Sequence, residues 1–184
     1  YSAYWSAATD TARNAIDDWI KAQQKNGLII NQGAIEVSGF PLSIQFTFDE
    51  TSMRATGSPR WAWAAERIVA SARPWSPLNV EIDLGPAHTF SFETEEAVQE
   101  MREPADNIRD VHVTATDATL NLQFGASIDS FSVNARDVQV DIEDVIGSGG
   151  ASLIDIVYDR RRNPDGPTVS FFARDLAVPL PALE

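Results

Sequence analysis

From Phe40 to Phe48 every second residue is apolar: Phe40, Leu42, Ile44, Phe46 and Phe48 alternate with Pro41, Ser43, Gln45 and Thr47. A two-residue period is that of a strand with one dry face; a helix repeats at 3.6 residues and cannot satisfy it. Such a face must be covered by another layer, by a partner or by a ligand, and this demand constrains the whole chain. Before this run, Ile35 and Val37 are apolar at odd positions, so the parity changes across Ser38-Gly39. A two-residue hairpin loop produces that change, with Val37 opposite Phe40 and Ile35 opposite Leu42. Gly39 would supply the positive φ, and Pro41, lacking an N–H, would hold Phe40 extended at the turn.

The same pattern recurs in VHVTATDATLNL (111–122), FSVNARDVQVDI (131–142) and VSFFARDLAVPL (169–180). Each has apolar residues at odd positions ending in Ala, a polar residue and Asp, then apolar residues at even positions. This is a degenerate internal repeat of strand, corner and strand, with Asp117, Asp137 and Asp175 as corner residues. A tight turn and a β-bulge fit the parity change equally well. Leu78, Val80, Ile82 and Leu84 add another one-faced strand, bounded by the breakers RPWSP and GPAH. RNPDGP (162–167) reads as a turn, IGSGG (146–150) as a flexible loop, and 94–107 is compatible with a helix or a short strand.

Against at least six such strands the chain offers one good helix, residues 2–26. Trp5, Ala8, Ala12, Ile16 and Trp19 recur on it at spacings of three and four, Asp17 and Lys21 form an i,i+4 pair, and Gly27 suits a left-handed C-cap. One helix cannot cover six strands.

The formal charge of −13 disfavours nucleic acid and anionic lipid headgroups as partners. Without cysteine there are no disulfides, thiolate nucleophiles or thiolate metal sites. His88 and His112 lack the spaced partners of a zinc site. Asp137, Asp141, Glu143 and Asp144 invite a calcium site, but Gln139 interrupts them and no ligand loop with a central Gly follows. Arg160, Arg161 and Arg162 form the basic cluster, read as the flank of a hairpin. No nucleophile elbow, phosphate loop or dinucleotide fingerprint is present, so no enzyme activity, cofactor or catalytic residue is expected.

The amphipathic Trp-bearing helix, VSGFPLSIQFTF and the later WAWAAERIVASARPWSPLNVEIDLGP together resemble an uncharacterised family of alphaproteobacterial membrane-anchored envelope proteins. Gly39, Phe40, Pro41 and Trp75 carry the resemblance. The strand-corner-strand grammar is also similar to the AsmA-like β-groove proteins of bacterial envelopes. The resemblance implies a periplasmic protein, anchored to the inner membrane in its full-length form, and a link to lipid transport.

The expected fold is mainly β (α+β): a long, strongly curved antiparallel sheet of repeated hairpins with the N-terminal helix packed on it, a single domain over 1–182. Leu183-Glu184 reads as a cloning scar. The expected function is non-enzymatic binding of a lipid or hydrophobic segment in an apolar groove. Its lining would be Phe40, Leu42, Ile44, Phe46, Phe48, Val80, Ile82, Leu120, Leu122, Val138 and Val140, all on dry faces by parity. The alternative is an interaction module whose sheets bury each other or a protein partner.

Overall fold

The computed structural model describes residues 2–57, 60–93, 108–125, 128–142, 148–160 and 166–178. Helix α1 (Ser2–Lys25) is followed by β1 (Leu28–Asn31), β2 (Ile35–Ser38), β3 (Ile44–Ala55), β4 (Trp61–Arg73), β5 (Ser76–Asp83) and β6 (Ala87–Glu93). Next come β7 (Ile108–Thr114), β8 (Asp117–Phe124), β9 (Ile128–Ile142), β10 (Gly149–Asp159) and β11 (Thr168–Arg174). All eleven strands among the described residues belong to one sheet, and each of their pairings is antiparallel.

The register reduces this sheet to a meander of long bent ribbons. β5 and β6 run on as one ribbon, flanked by β4 on one side and by β8 then β7 on the other. β7 and β8 likewise form one ribbon, and both pair with β9 in a single register. β1 and β2 do the same against β3, interrupted at Gly33, whose N–H donates to Asp49 O at 3.0 Å.

Each ribbon bends at the same level, so the sheet has a crease running across its strands. Gly33 lies level with Glu50, and Glu50 with Glu66 of β4. The line continues through the Leu84–Pro86 corner and Ala115-Thr116 to Asp137 of β9, Ser152 of β10 and Asp175 after β11. Glu50, Asp137 and Asp175 have φ of 50, 48 and 51°, and Gly85 has φ of 76°. One left-handed residue turns the side chains that follow it to the other parity, which keeps the apolar set on the inside of the bend. The three Ala-x-Asp segments are therefore bends within ribbons, and the hairpin turns lie elsewhere. Asp suits two of these bends because its short side chain tolerates the left-handed region. Ser152 Oγ ties the last ones together by donating to Asp175 Oδ2 at 2.7 Å.

Inside the crease the packing is close. The buried cluster is Ala115, Ala118 and Val138, flanked by Leu84, Val113, Ala135, Val140 and Ile154. Ala65 and Ala151 are also buried. Small side chains are required where two limbs of one sheet fold toward each other. At Gly150 even a Cβ would collide with Val138 O. Gly149-Gly150 accordingly begins β10 and is not loop, because only glycine admits the neighbouring backbone there.

Two expectations change at the helix and at the Gly-Phe-Pro corner. The buried stripe of α1 passes through Trp5, Ala8, Thr9, Ala12, Ile16 and Ile20, and Trp19 is exposed. Phe40 and Leu42 are not in β3: residues 39–43 form a longer loop, closed by N–H donation from Leu42 and Ser43 to Gly39 O. Val37 thus faces Phe46 and Ile35 faces Phe48. The slip is even, so the dry face is the same. The loop leaves the strand because Phe40 and Ser43 dock the helix. Trp5 Nε1 donates to Ser43 O at 2.9 Å, Trp5 meets Phe40 edge-on at 5.6 Å, and Tyr4 OH donates to Pro74 O at 2.9 Å. At the other end Gly27, with φ of 84°, accepts from Thr56 N and Oγ1. Its 24 residues, at about 1.5 Å each, let the helix match the length of β3. Residues 94–107 and most of the 162–167 turn lie outside the described residues.

Gly39 has φ of 94°, and a Cβ there would meet Ser43 O at 2.9 Å. Gly39→Val should therefore cost more than about 1 kcal/mol, read as a lower urea midpoint. At Asp137 the side chain matters less than the backbone. Asp137→Asn should shift the midpoint little, and Asp137→Val should cost about 1–2 kcal/mol. Equal midpoints for those two variants would show that the bend does not depend on a left-handed residue.

Candidate functional site

On one side of the crease the register lines up two apolar rows, each crossing seven strands. The first is Ile44, Ala72, Val80, Leu122, Phe131, Tyr158 and Val169. The second is Phe46, Ala70, Ile82, Leu120, Val133, Ile156 and Phe171. Cross-strand neighbours share a face, so these side chains make one continuous apolar surface. Phe131 and Tyr158 stack on it at 5.1 Å, and Phe46 stacks with Phe48 at 6.5 Å.

Seven of the expected groove residues, Ile44, Phe46, Phe48, Val80, Ile82, Leu120 and Leu122, are thus brought onto one face. Val138 and Val140 lie beyond the crease, yet on the same side: the buried cluster joins Val113, Val138 and Val140 from that limb to Ala118, Ala135 and Ile154 from this one. Phe40 and Leu42 stand apart in the loop, 54% and 68% exposed. Ile44 and Phe46, each 5% exposed, are packed core at the end of the sheet nearest the helix N-terminus. Phe131, Val133, Ile156, Tyr158, Val169 and Phe171 were missed. Their own alternation marks a strand, but which strands adjoin is set by the register.

The far limb continues the surface with aromatic side chains. Trp63 lies opposite Phe90 and Trp61 opposite Phe92, with the Phe90 and Phe92 rings stacked at 6.2 Å. His88 completes this group, stacked on Trp63 at 6.0 Å and beside Phe90 at 6.4 Å. Neither ring nitrogen has a well-formed hydrogen bond. Burial holds the His88 pKa below the usual imidazole value, opposed in part by the Gly85 backbone. Sequence alone gives this histidine no signal beyond its parity with Phe90 and Phe92.

The opposite face carries a cleft of about 980 Å³. Two rows line it, Ser71, Glu81, Asn121, Ser132 and Val157, then Asn79, Gln123, Ser130 and Asp159, with Arg73 and its partner Ser76 beside the second. The apolar row between them touches the cleft through Ala72, Val80, Leu122 and Phe131, while the next apolar row is absent from its walls. That pattern places the cleft on the polar face. The sheet therefore bends one way along its strands, enclosing the apolar cluster, and the other way across them. Leu42, Ser43 and Trp75 form one rim.

No group of three or more metal-capable side chains converges among the described residues. Glu143, Asp144, Arg161 and Arg162 lie outside them. Arg160 pairs with Asp129 at 3.1 Å, closing the β9–β10 end, and Arg60 pairs with Glu93 at 2.9 Å beside β6. The Arg60 hydrogen bond keeps the Glu93 carboxyl below its ordinary pKa.

Residues 5–183 match a family described as uncharacterised proteins conserved in bacteria, DUF2125. The chain belongs to that family. Among curated proteins and among solved structures nothing matches it.

His88 predicts a pH response. A histidine whose folded pKa is depressed binds fewer protons folded than unfolded, so stability falls as pH drops below the unfolded value of about 6.5. Wild type should lose more stability between pH 7.5 and 5.5 than His88→Phe, measured as urea midpoints at both pH values. His112 is common to both proteins and cancels.

Proposed function

We propose that this protein is a non-enzymatic component of the bacterial cell envelope whose apolar sheet face holds a lipid chain or hydrophobic segment, in the service of lipid transport. One observation carries the reading: two apolar rows cross seven strands, while no large side chain among the described residues is fully buried. Apolar area left in water costs about 25 cal/mol per Å², so a continuous face of this kind favours an occupant. The rows end openly at Val169 and Phe171, both strongly exposed on β11. A periplasmic place, with the full-length protein anchored to the inner membrane, is supported by the resemblance of the Gly-Phe-Pro segment to membrane-anchored envelope proteins. The creased sheet supports the likeness to AsmA-like grooves. No described helix is long and apolar enough to cross a membrane.

A second reading, an interaction module without a ligand, draws on the edge of the sheet. Among the described residues β11 pairs only with β10, and Val169, Phe171 and Phe172 expose apolar side chains on both of its faces. An edge of that kind accepts a strand from another protein.

Native mass spectrometry of protein purified from cells should show bound lipid. N-phenyl-1-naphthylamine should bind with about micromolar affinity and be displaced by fatty acid. Phe171→Asp, at a site 62% exposed, should keep the fold and weaken that binding by tenfold or more, since the added carboxylate opposes apolar contact. A wild type that ignores the dye and carries no lipid would leave only the interaction module.

A further inference from the structure

The polar cleft lies across the sheet from the apolar face, and lipid uptake has no use for it. An exposed sheet face is ordinarily polar, so polarity alone assigns nothing. Three features set this region apart. It is concave, and about 980 Å³ lies at the upper end of the roughly 300–1,000 Å³ range of small-molecule sites. Its two rows cross five and four strands and are rich in amide and hydroxyl side chains, with Asn79, Asn121 and Gln123 at the centre. Trp75, 62% exposed in the β4–β5 turn, stands at the rim with its ring available.

Each feature narrows the ligand. Asn and Gln both donate and accept, which suits a group that does the same at every position, namely a vicinal hydroxyl. Glu81 adds an acceptor for hydroxyl donors, and its charge offsets that of Arg73, the cation of the lining. A phosphate or other anion is disfavoured by the chain's charge of −13. An exposed indole offers its negative π face to the C–H side of a saturated ring. The groups are also partly set in place. Asn79 Nδ2 donates to Ser76 Oγ at 2.9 Å, and Ser130 Oγ donates to Gln123 Oε1 at 3.4 Å. An extended peptide would need a free strand edge, whereas this floor is the middle of the sheet, where the backbone is already paired.

We infer that this cleft is a binding site for a neutral saccharide of several rings, with Trp75 as the stacking platform and Asn79, Glu81, Asn121 and Gln123 as hydroxyl partners. The site is independent of the apolar face: a chain can bind lipid on one side of the sheet and glycan on the other, and neither requires the other.

The test uses cellohexaose, maltohexaose and chitohexaose at about millimolar concentration, read by saturation-transfer NMR and tryptophan fluorescence. At least one should bind wild type. Trp75→Ala and Asn121→Ala should each weaken it by about tenfold, as loss of one stacking or hydrogen-bonding partner does. Both side chains are exposed, so thermal midpoints and N-phenyl-1-naphthylamine binding should stay at wild-type values. Failure of all three hexasaccharides to bind wild type would overturn the assignment. So would binding that neither substitution diminishes.

Discussion

The crease is the constraint on which the rest of this structure depends. A flat antiparallel sheet of this length would leave both apolar limbs open to water. Bending every ribbon at one level folds them toward each other and gives Ala115, Ala118 and Val138 a buried place. The bend needs left-handed backbone at Glu50, Gly85, Asp137 and Asp175, which for the non-glycine residues costs about 1–2 kcal/mol each. Backbone pairing persists across the line, through Leu84 N to Ala118 O at 2.8 Å, Ala115 N to Pro86 O at 2.9 Å and Thr116 N to Arg136 O at 3.0 Å. Bent strands with an intact ladder keep their polar backbone satisfied where it would otherwise be buried and costly.

The same geometry divides the molecule by chemistry. Along the strands the sheet closes on its apolar side; across them it curves toward its polar side. Each residue of a ribbon is thereby committed to one environment, and a one-residue slip would exchange the two sets. The glycines pin that register. At Gly150 and Gly85 a Cβ would collide with Val138 O and Arg67 O of the neighbouring ribbon.

Edges are handled unequally. β1 and β2 are four residues each and broken at Gly33, with α1 leading directly into them. Short, interrupted edges resist unwanted pairing. β11 is longer, unbroken and apolar on both faces. The apolar rows stop there because the described sheet stops there, so the same strand bounds the apolar face and offers a place for another strand.

Much of this was legible in the residues. Alternation in 40–48, 78–84, 111–122, 131–142 and 169–180 specifies one-faced strands, and the i,i+4 stripe with Gly27 after it specifies the helix, because both are local periodicities. The parity change at Ala-x-Asp was visible too, and Asp137 and Asp175 do adopt the backbone that their side chain tolerates. Turn and bend look alike in a chain, however, since both shift parity by one; only the hydrogen-bond partners distinguish them. Phe40 and Leu42 continued the alternation of β3, but Trp5, some thirty-five residues earlier, claimed their loop. Which strands become neighbours, and hence that Leu122 meets Phe131 and Asn121 meets Ser132, depends on contacts between residues far apart in sequence. The cleft on the polar face had no local signal at all. Curvature belongs to the whole sheet, as the sum of twists and bends over many ribbons, and no single segment encodes it.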